Sequence, residues 1–150
     1  MVVAVREVSG ADVAAIGELL GELGYPSATD LQRRLGSWLD VSERRLLVAV
    51  ECGDVVGMLG LVMTPRLESD GWWAQVVALV VAERYRGQGV GRRLVERAEA
   101  LSEEAGCDTL FINSSRRRTD AHAFFVRLGY RDRCQDHAQY VRSMSSSEEP

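Results

Sequence analysis

Lysine is missing altogether: the 18 basic residues in this chain of 150 are all arginine. That excludes a Gly-Lys-Ser/Thr phosphate loop. Histidine is nearly as scarce, with only His122 and His137, so a His-rich metal centre is not expected and no metal is assigned. The three cysteines, Cys52, Cys107 and Cys134, are widely spaced, odd in number and free of any C-x-x-C pattern. Such spacing argues for neither a disulfide framework nor a zinc site. No apolar run reaches the roughly 18 residues of a membrane-crossing helix. The opening MVVAVREVSGAD lacks the charged start and long apolar block of a secretory signal, so the expected compartment is the cytoplasm. A net charge of -4 gives no electrostatic reason to bind nucleic acid.

What is present suits a folded domain. A content of 46% hydrophobic and 27% charged residues over 150 positions is enough for one sizeable core. Without repeats or a dividing linker, one domain is expected over residues 1–144, with the tail SSSEEP at 145–150 disordered. Residues 2–8 are β-branched and short, a first strand. Ser9 with Asp12 resembles a capping box, and Val13, Ile16, Leu19, Leu20 and Leu23 then recur at helical spacing up to Gly24. Leu31, Leu35 and Leu39 predict a second helix. Residues 45–52 and 55–63, joined at Gly53-Asp54, read as a hairpin. WWAQVVALVV (72–81) is almost wholly apolar, as in a strand covered on both faces. After a glycine-rich loop, Val90, Leu94, Ala98, Leu101 and Ala105 mark a third helix closed by Gly106. TLFIN (109–113) follows as a strand, completing a βαβ unit with parallel strands. A fourth helix is predicted from Thr119 or Asp120 through Leu128, and residues 130–133 and 139–144 read as two last short strands.

The loop RYRGQGVGRRL (84–94) places three glycines in five residues among four arginines. A loop that leaves a buried strand and enters a helix offers unpaired backbone N–H groups at the positive end of the helix dipole, and glycines let a ligand approach the backbone. Such a place suits an anion. Arg86, Arg92 and Arg93 stand where the dipole disfavours cations by roughly 0.3 to 1 kcal/mol each, a penalty that bound phosphate would reverse. The loop alone is also compatible with a glycine-rich turn carrying solvated arginines. A Rossmann G-x-G-x-x-G fails in either register, because Arg92 or Leu94 stands where its last glycine belongs.

The spacing that fits is R/Q-x-x-G-x-G, here Arg86-Gly87-Gln88-Gly89-Val90-Gly91. With Leu79-x-Val81 before it, Asn113 ending the next strand and AHAFFVRLGY at 121–130, the chain resembles the GNAT superfamily of acyl-CoA-dependent N-acetyltransferases. The order of elements carries the resemblance over residues 2–144, most strongly over 79–130. It implies an α/β (α+β) fold: a mixed, mostly antiparallel central sheet flanked by helices, with one parallel strand pair splayed at the cofactor site. It implies acetyl-CoA as donor, pantetheine held by the main chain of Leu79 and Val81, and the diphosphate held by the amides of Gln88, Gly89, Val90, Gly91 and Arg92, with Arg86, Gly87 and Asn113 bordering the same site. The implied acceptor is an amine of a small molecule or protein, and homodimers are common in the family.

Acyl transfer from a thioester needs a neutral amine, a stabilised oxyanion and a proton for the leaving thiolate. The resemblance places the usual glutamate at Gln75 and the usual tyrosine acid at Phe125; neither side chain can do that work. Arg118 stands where many members have asparagine. The catalytic acid and base are therefore unassigned. Trp73 and Gln75 are the candidate acceptor-facing residues, Trp72 alternating to the other side of its strand. Glu18, Glu22 and His122 read as surface residues, and the Ser114, Ser115 and 116–118 run as a solvated basic turn. The family's acceptor specificity points to residues 25–30 and 66–71.

Overall fold

A computed structural model describes residues 1–25, 30–114, 119–134 and 136–144. Its contacts divide into two units, Met1–Asn113 and Ser114–Pro150. The first holds strands β1 (Val3–Glu7), β2 (Arg44–Glu51), β3 (Asp54–Pro65), β4 (Trp72–Val81) and β5 (Cys107–Ile112), with helices α1 (Val13–Glu22), α2 (Leu31–Leu39) and α3 (Val90–Glu104). The strands form one sheet in the order β1-β2-β3-β4-β5. All neighbours are antiparallel except β4 and β5, which run parallel. A mixed sheet flanked by helices is the expected architecture.

The local chemistry explains the elements. The β2–β3 hairpin closes on Cys52 and Gly53, both at positive φ (49° and 83°), the two-residue turn whose twist matches the strands it joins. The sheet is covered on both faces. Ile16 and Leu19 of α1 and Leu31 of α2 pack with Leu46, Val48, Met58 and Val80 on one face. Side chains alternate along a strand, so Gly57, Leu59 and Leu61 point the other way. There a Cβ on Gly57 would stand 3.1 Å from Leu94 Cδ1 and 3.2 Å from Val90 Cγ1, which places the first turns of α3 directly on β3.

The capping box forms around a buried carboxylate. Asp12, 5% exposed, accepts the Ser9 backbone N–H at 2.7 Å and two N–H groups from Arg6 at 2.8 and 3.0 Å. The Arg6 hydrogen bond is the largest cause of a pKa lowered from 3.8 to about 2. A carboxylate with a depressed folded pKa adds stability above its unfolded value and loses it as pH falls through the folded one. Asp12→Asn is expected to cost about 1–2 kcal/mol at pH 7, a range that allows for the half-exposed partner. The difference from wild type should close between about pH 4 and pH 2 in urea unfolding. A gap that stays constant with pH would assign the effect to packing instead.

In the second unit α4 spans Thr119–Arg127. Gly129, at φ 94°, ends it with the expected left-handed stop. The strands expected at 130–133 and 139–144 are not formed among the described residues, 130–134 and 136–144 being irregular. Local polar bonds take their place: Arg131 Nη1 donates to Asp136 at 3.0 Å, and the Cys134 backbone N–H donates to Asp132 at 2.9 Å. Such side-chain bonds compete with strand pairing. The expected disordered tail, 145–150, lies outside the described residues.

Candidate active site

β4 and β5 pair from Trp72↔Cys107 to Val76↔Ile112 and no further, although β4 continues to Val81. β5 itself ends at Ile112, and β4 is irregular just beyond that rung. Gly60 pairs with Ala78 and Leu61 with Val76, so Val77 is an extra residue in β4, half exposed at 49%. A bulge of this kind bends its strand and ends regular pairing. Beyond it β4 runs on past the end of β5 at Ile112, and Asn113, just past the last rung, is exposed.

The main chain of β4 beyond the bulge can be assigned by alternation. Ala82 N–H donates to Val56 O at 2.8 Å, so the next rung, Gly57↔Val81, is a non-bonded one, as is Leu59↔Leu79 two rungs further on. The N–H and C=O groups of Leu79 and Val81 therefore point away from β3, toward the side on which β5 has ended. The side chains of Leu79 and Val81 share the α3 face with Leu59 and Gly57 and need only be apolar. This is the geometry in which an extended, amide-bearing chain can pair with the strand.

At the end of β4 the chain makes a 3-10 turn, Glu83–Tyr85, that periodicity does not foretell, and then the glycine loop. Gly87 and Gly89 have φ of 75° and 85°, a region that disfavours L side chains, and a Cβ at either would meet nothing within 4 Å. Their backbone is thus both bent and open to approach. Gly89 is the N-cap of α3 and has no side chain to cap with; Arg93 N–H bonds to its carbonyl at 3.2 Å. The N–H groups of Val90, Gly91 and Arg92 are left without intrahelical partners. They stand at the positive end of a 15-residue helix, a place that suits an anion.

The arginines are otherwise engaged. Arg86 Nε donates to Val81 O at 3.2 Å, Arg92 pairs with Glu96 at 3.0 Å, and Arg93 Nη1 donates to Val3 O at 3.1 Å. Gln88 Nε2 donates to Arg84 O at 3.1 Å, tightening the loop on itself. The loop's capacity for an anion therefore rests first on its backbone.

The opposite face of β4 carries the two candidate acceptor residues. Gln75 stands across from Val62 on β3 and Phe111 on β5, and Trp73 packs edge-to-face on Phe111 with centroids 5.6 Å apart. Gly60 lies on the same face, where a Cβ would be 3.2 Å from Val77 Cγ2 and 3.6 Å from Trp38. Gln75 is thus set among apolar and aromatic groups. The 66–71 loop joins β3 to the start of β4, at the far end of that strand from the glycine loop. Arg66 clasps it to Asp108 at 2.7 Å, its guanidinium holding the Asp108 carboxyl below its ordinary range. Residues 26–29 and 115–118, which include part of the expected acceptor wall, Ser115 and Arg118, lie outside the described residues. Phe125 belongs to the second unit, edge-to-face with Phe124 and Tyr130 at 5.2 and 6.2 Å, and His122 lies on α4.

Glu22 is exposed, in keeping with its reading as surface charge, and it also has a long-range partner. Its carboxylate accepts the Glu83 backbone N–H at 3.1 Å, beside a cleft of about 450 Å³ between α1 and the segment after β4. The partners are 61 positions apart, which no local pattern reveals. Among the described residues, no group of three or more His, Cys, Asp or Glu side chains could hold a metal. Among the same residues, no helix is long and apolar enough to cross a membrane.

A parallel strand pair in a mixed sheet, followed by a glycine-opened helix head, is the arrangement the resemblance implies, and comparison with known proteins agrees. The family model described as "Acetyltransferase (GNAT) family" matches residues 14–130. The aminoalkylphosphonate N-acetyltransferase of Salmonella typhimurium is 33% identical over 97 residues, 65% of this chain and 61% of that enzyme, so the alignment spans less than two thirds of the relative's length. An uncharacterised N-acetyltransferase of Chlorobaculum tepidum is 31% identical over 129 residues, 85% of this chain and 75% of that protein. The crystal structure of a GNAT family acetyltransferase from Staphylococcus aureus superposes with a TM-score of 0.80 at 22% identity, covering 96% of this chain and 100% of that one. The chain belongs to the acetyltransferase (GNAT) family, a family of N-acyl-transferring enzymes.

Proposed function

We propose that the protein is an N-acetyltransferase that moves an acetyl group from acetyl-CoA to a primary amine of a small molecule or protein. The observation that carries this reading is the end of β4–β5 pairing at Val76↔Ile112, beyond which the main chain of Leu79 and Val81 faces away from β3 with no strand of the sheet opposite it, directly before the open head of α3. In it, pantetheine pairs with Leu79 and Val81, and the diphosphate is held by the amides of Gln88, Gly89, Val90, Gly91 and Arg92, with Arg86, Gly87 and Asn113 at its border. Acetyl-CoA, when bound, supplies the activated thioester. The chain's own groups orient it: a main-chain N–H near Val81 is placed to stabilise the oxyanion, and Trp73 and Gln75 face the acceptor. A small amine is favoured by the aminoalkylphosphonate named for the Salmonella relative. The working form is one domain over residues 1–144, in the cytoplasm, without a metal and with homodimerisation open to test.

A second reading, an acyl-CoA sensor of the same fold without turnover, is supported by Gln75, whose amide cannot take a proton. Calorimetric titration with acetyl-CoA followed by thiol release across a panel of amines separates the two. The enzyme reading expects saturable binding and amine-dependent thiol release. Binding without release on any amine favours the sensor, and no binding sinks both.

A further inference from the structure

The end of α1 is tied to the beginning of the glycine loop by a closed set of contacts. Glu22 accepts the Glu83 N–H at 3.1 Å and lies 3.9 Å from Arg86 Nη2, while Arg86 Nε donates to Val81 O at 3.2 Å. One carboxylate thus touches the first residue of the 3-10 turn and the first residue of the R-x-x-G-x-G motif, and through Arg86 it reaches the carbonyl that closes β4. Glu22 stands at the C-terminal end of α1, where the helix dipole opposes a negative charge, in a cleft that also holds Glu18 and Glu83. Its placement there is compensated by the Glu83 N–H it accepts and the Arg86 charge 3.9 Å away. Ile16 and Leu19, buried on the same helix, hold α1 firmly against the sheet, so Glu22 acts from a rigid base.

We propose that Glu22 is a positioning residue for the diphosphate-binding loop, holding Glu83 and Arg86 so that the amides from Gln88 to Arg92 converge on the ligand. The proposal rests on the acetyl-CoA reading above. A half-exposed ion pair contributes little by itself. A carboxylate bonded to a backbone N–H is stronger and directional, and a loop already in its bound shape spares the ligand the entropy of ordering it. Glu22 does not touch the thioester, so its effect should fall on recognition of the diphosphate and not on the chemical step.

The test compares acetyl-CoA with acetyl-pantetheine, which carries the same thioester and no diphosphate, in the full-length chain. Glu22→Ala is expected to lower kcat/KM for acetyl-CoA about tenfold through KM, with kcat at saturation within about twofold and acetyl-pantetheine turnover unchanged. Glu22→Gln, which keeps an acceptor for the Glu83 N–H, should recover to within about threefold of wild type for acetyl-CoA. Should the alanine variant not fold, Glu22→Asp carries the same comparison, since it keeps the charge but withdraws it by one methylene. Equal losses for both donors, or no loss for either, overturn the proposal by reducing Glu22 to a structural or idle residue. A wild type that uses both donors equally removes the diphosphate reading itself, and the proposal with it.

Discussion

Replacing Gly89 or Gly91 with glutamate should lower the affinity for acetyl-CoA and CoA at least about 100-fold while leaving the fold intact. Two unit charges about 4 Å apart near a protein surface repel by roughly 4 kcal/mol. Salt screening that halved this would still leave on the order of 30-fold. The new carboxylate would also accept the N–H groups of the helix head, removing the donors that the diphosphate needs. The two positions separate charge from strain. Gly89 sits at φ 85°, where any L side chain costs about 1–2 kcal/mol, whereas Gly91 lies inside the first turn of α3 and is not at positive φ. Gly91→Glu therefore reports repulsion, and Gly89→Ala reports strain, with a lowered melting temperature but affinity within a few-fold of wild type. Isothermal titration with acetyl-CoA, paired with circular dichroism of each variant, makes the comparison. Undiminished binding in both glutamate variants would take the diphosphate away from the head of α3.

Most of the frame was legible because short-range rules govern it. The apolar run of β4 was bounded correctly at Trp72 and Val81 because a wholly apolar run marks a covered strand, and Leu31, Leu35 and Leu39 fall within α2 because they share one helical period. The start of α3 at Val90 followed from the helical stripe that opens there after the glycine loop. Three features were beyond reach. The turn Glu83–Tyr85 is too short to show a period. The arginine partners lie from 4 to 90 positions away, as in Arg92 to Glu96 and Arg93 to Val3, and the distant ones leave no mark on the sequence. The one-residue slip at Val77 against Gly60, just past the last β4–β5 rung, is a property of register that no composition encodes. At the C-terminal side, Tyr130, Tyr140 and Val141 suggested strands, but Asp132 and Asp136 offered the backbone and Arg131 nearer partners. The family resemblance pointed to the glycine loop; only the structure turned the carbonyl of Val81 toward Arg86.

Gln75→Glu is expected to raise kcat/KM at pH 7 by roughly 10- to 100-fold for strongly basic amines, the low end of what a positioned general base supplies. An amine of pKa about 10.4 is neutral in only about one molecule in a few thousand at pH 7. With an amide at position 75, the rate should follow the acceptor's own ionisation, rising about tenfold per pH unit up to the amine pKa. Position 75 pairs with Val62 and Phe111 beside Trp73, one residue before the last β4–β5 rung. A carboxylate placed among these groups would be poorly solvated and its pKa pushed up from the ordinary value near 4.3 toward neutrality, which suits a base working at pH 7. The variant should therefore show a new inflexion in its pH profile that the wild type lacks. An α-amine of pKa near 8 is already neutral in about a tenth of its molecules at pH 7, so the gain there should be several-fold smaller. The ratio of the two gains reads the role directly: a base accelerates more the more rarely its substrate is neutral, whereas a carboxylate that merely attracts cations lowers KM for both amines and leaves the slope of the profile unchanged.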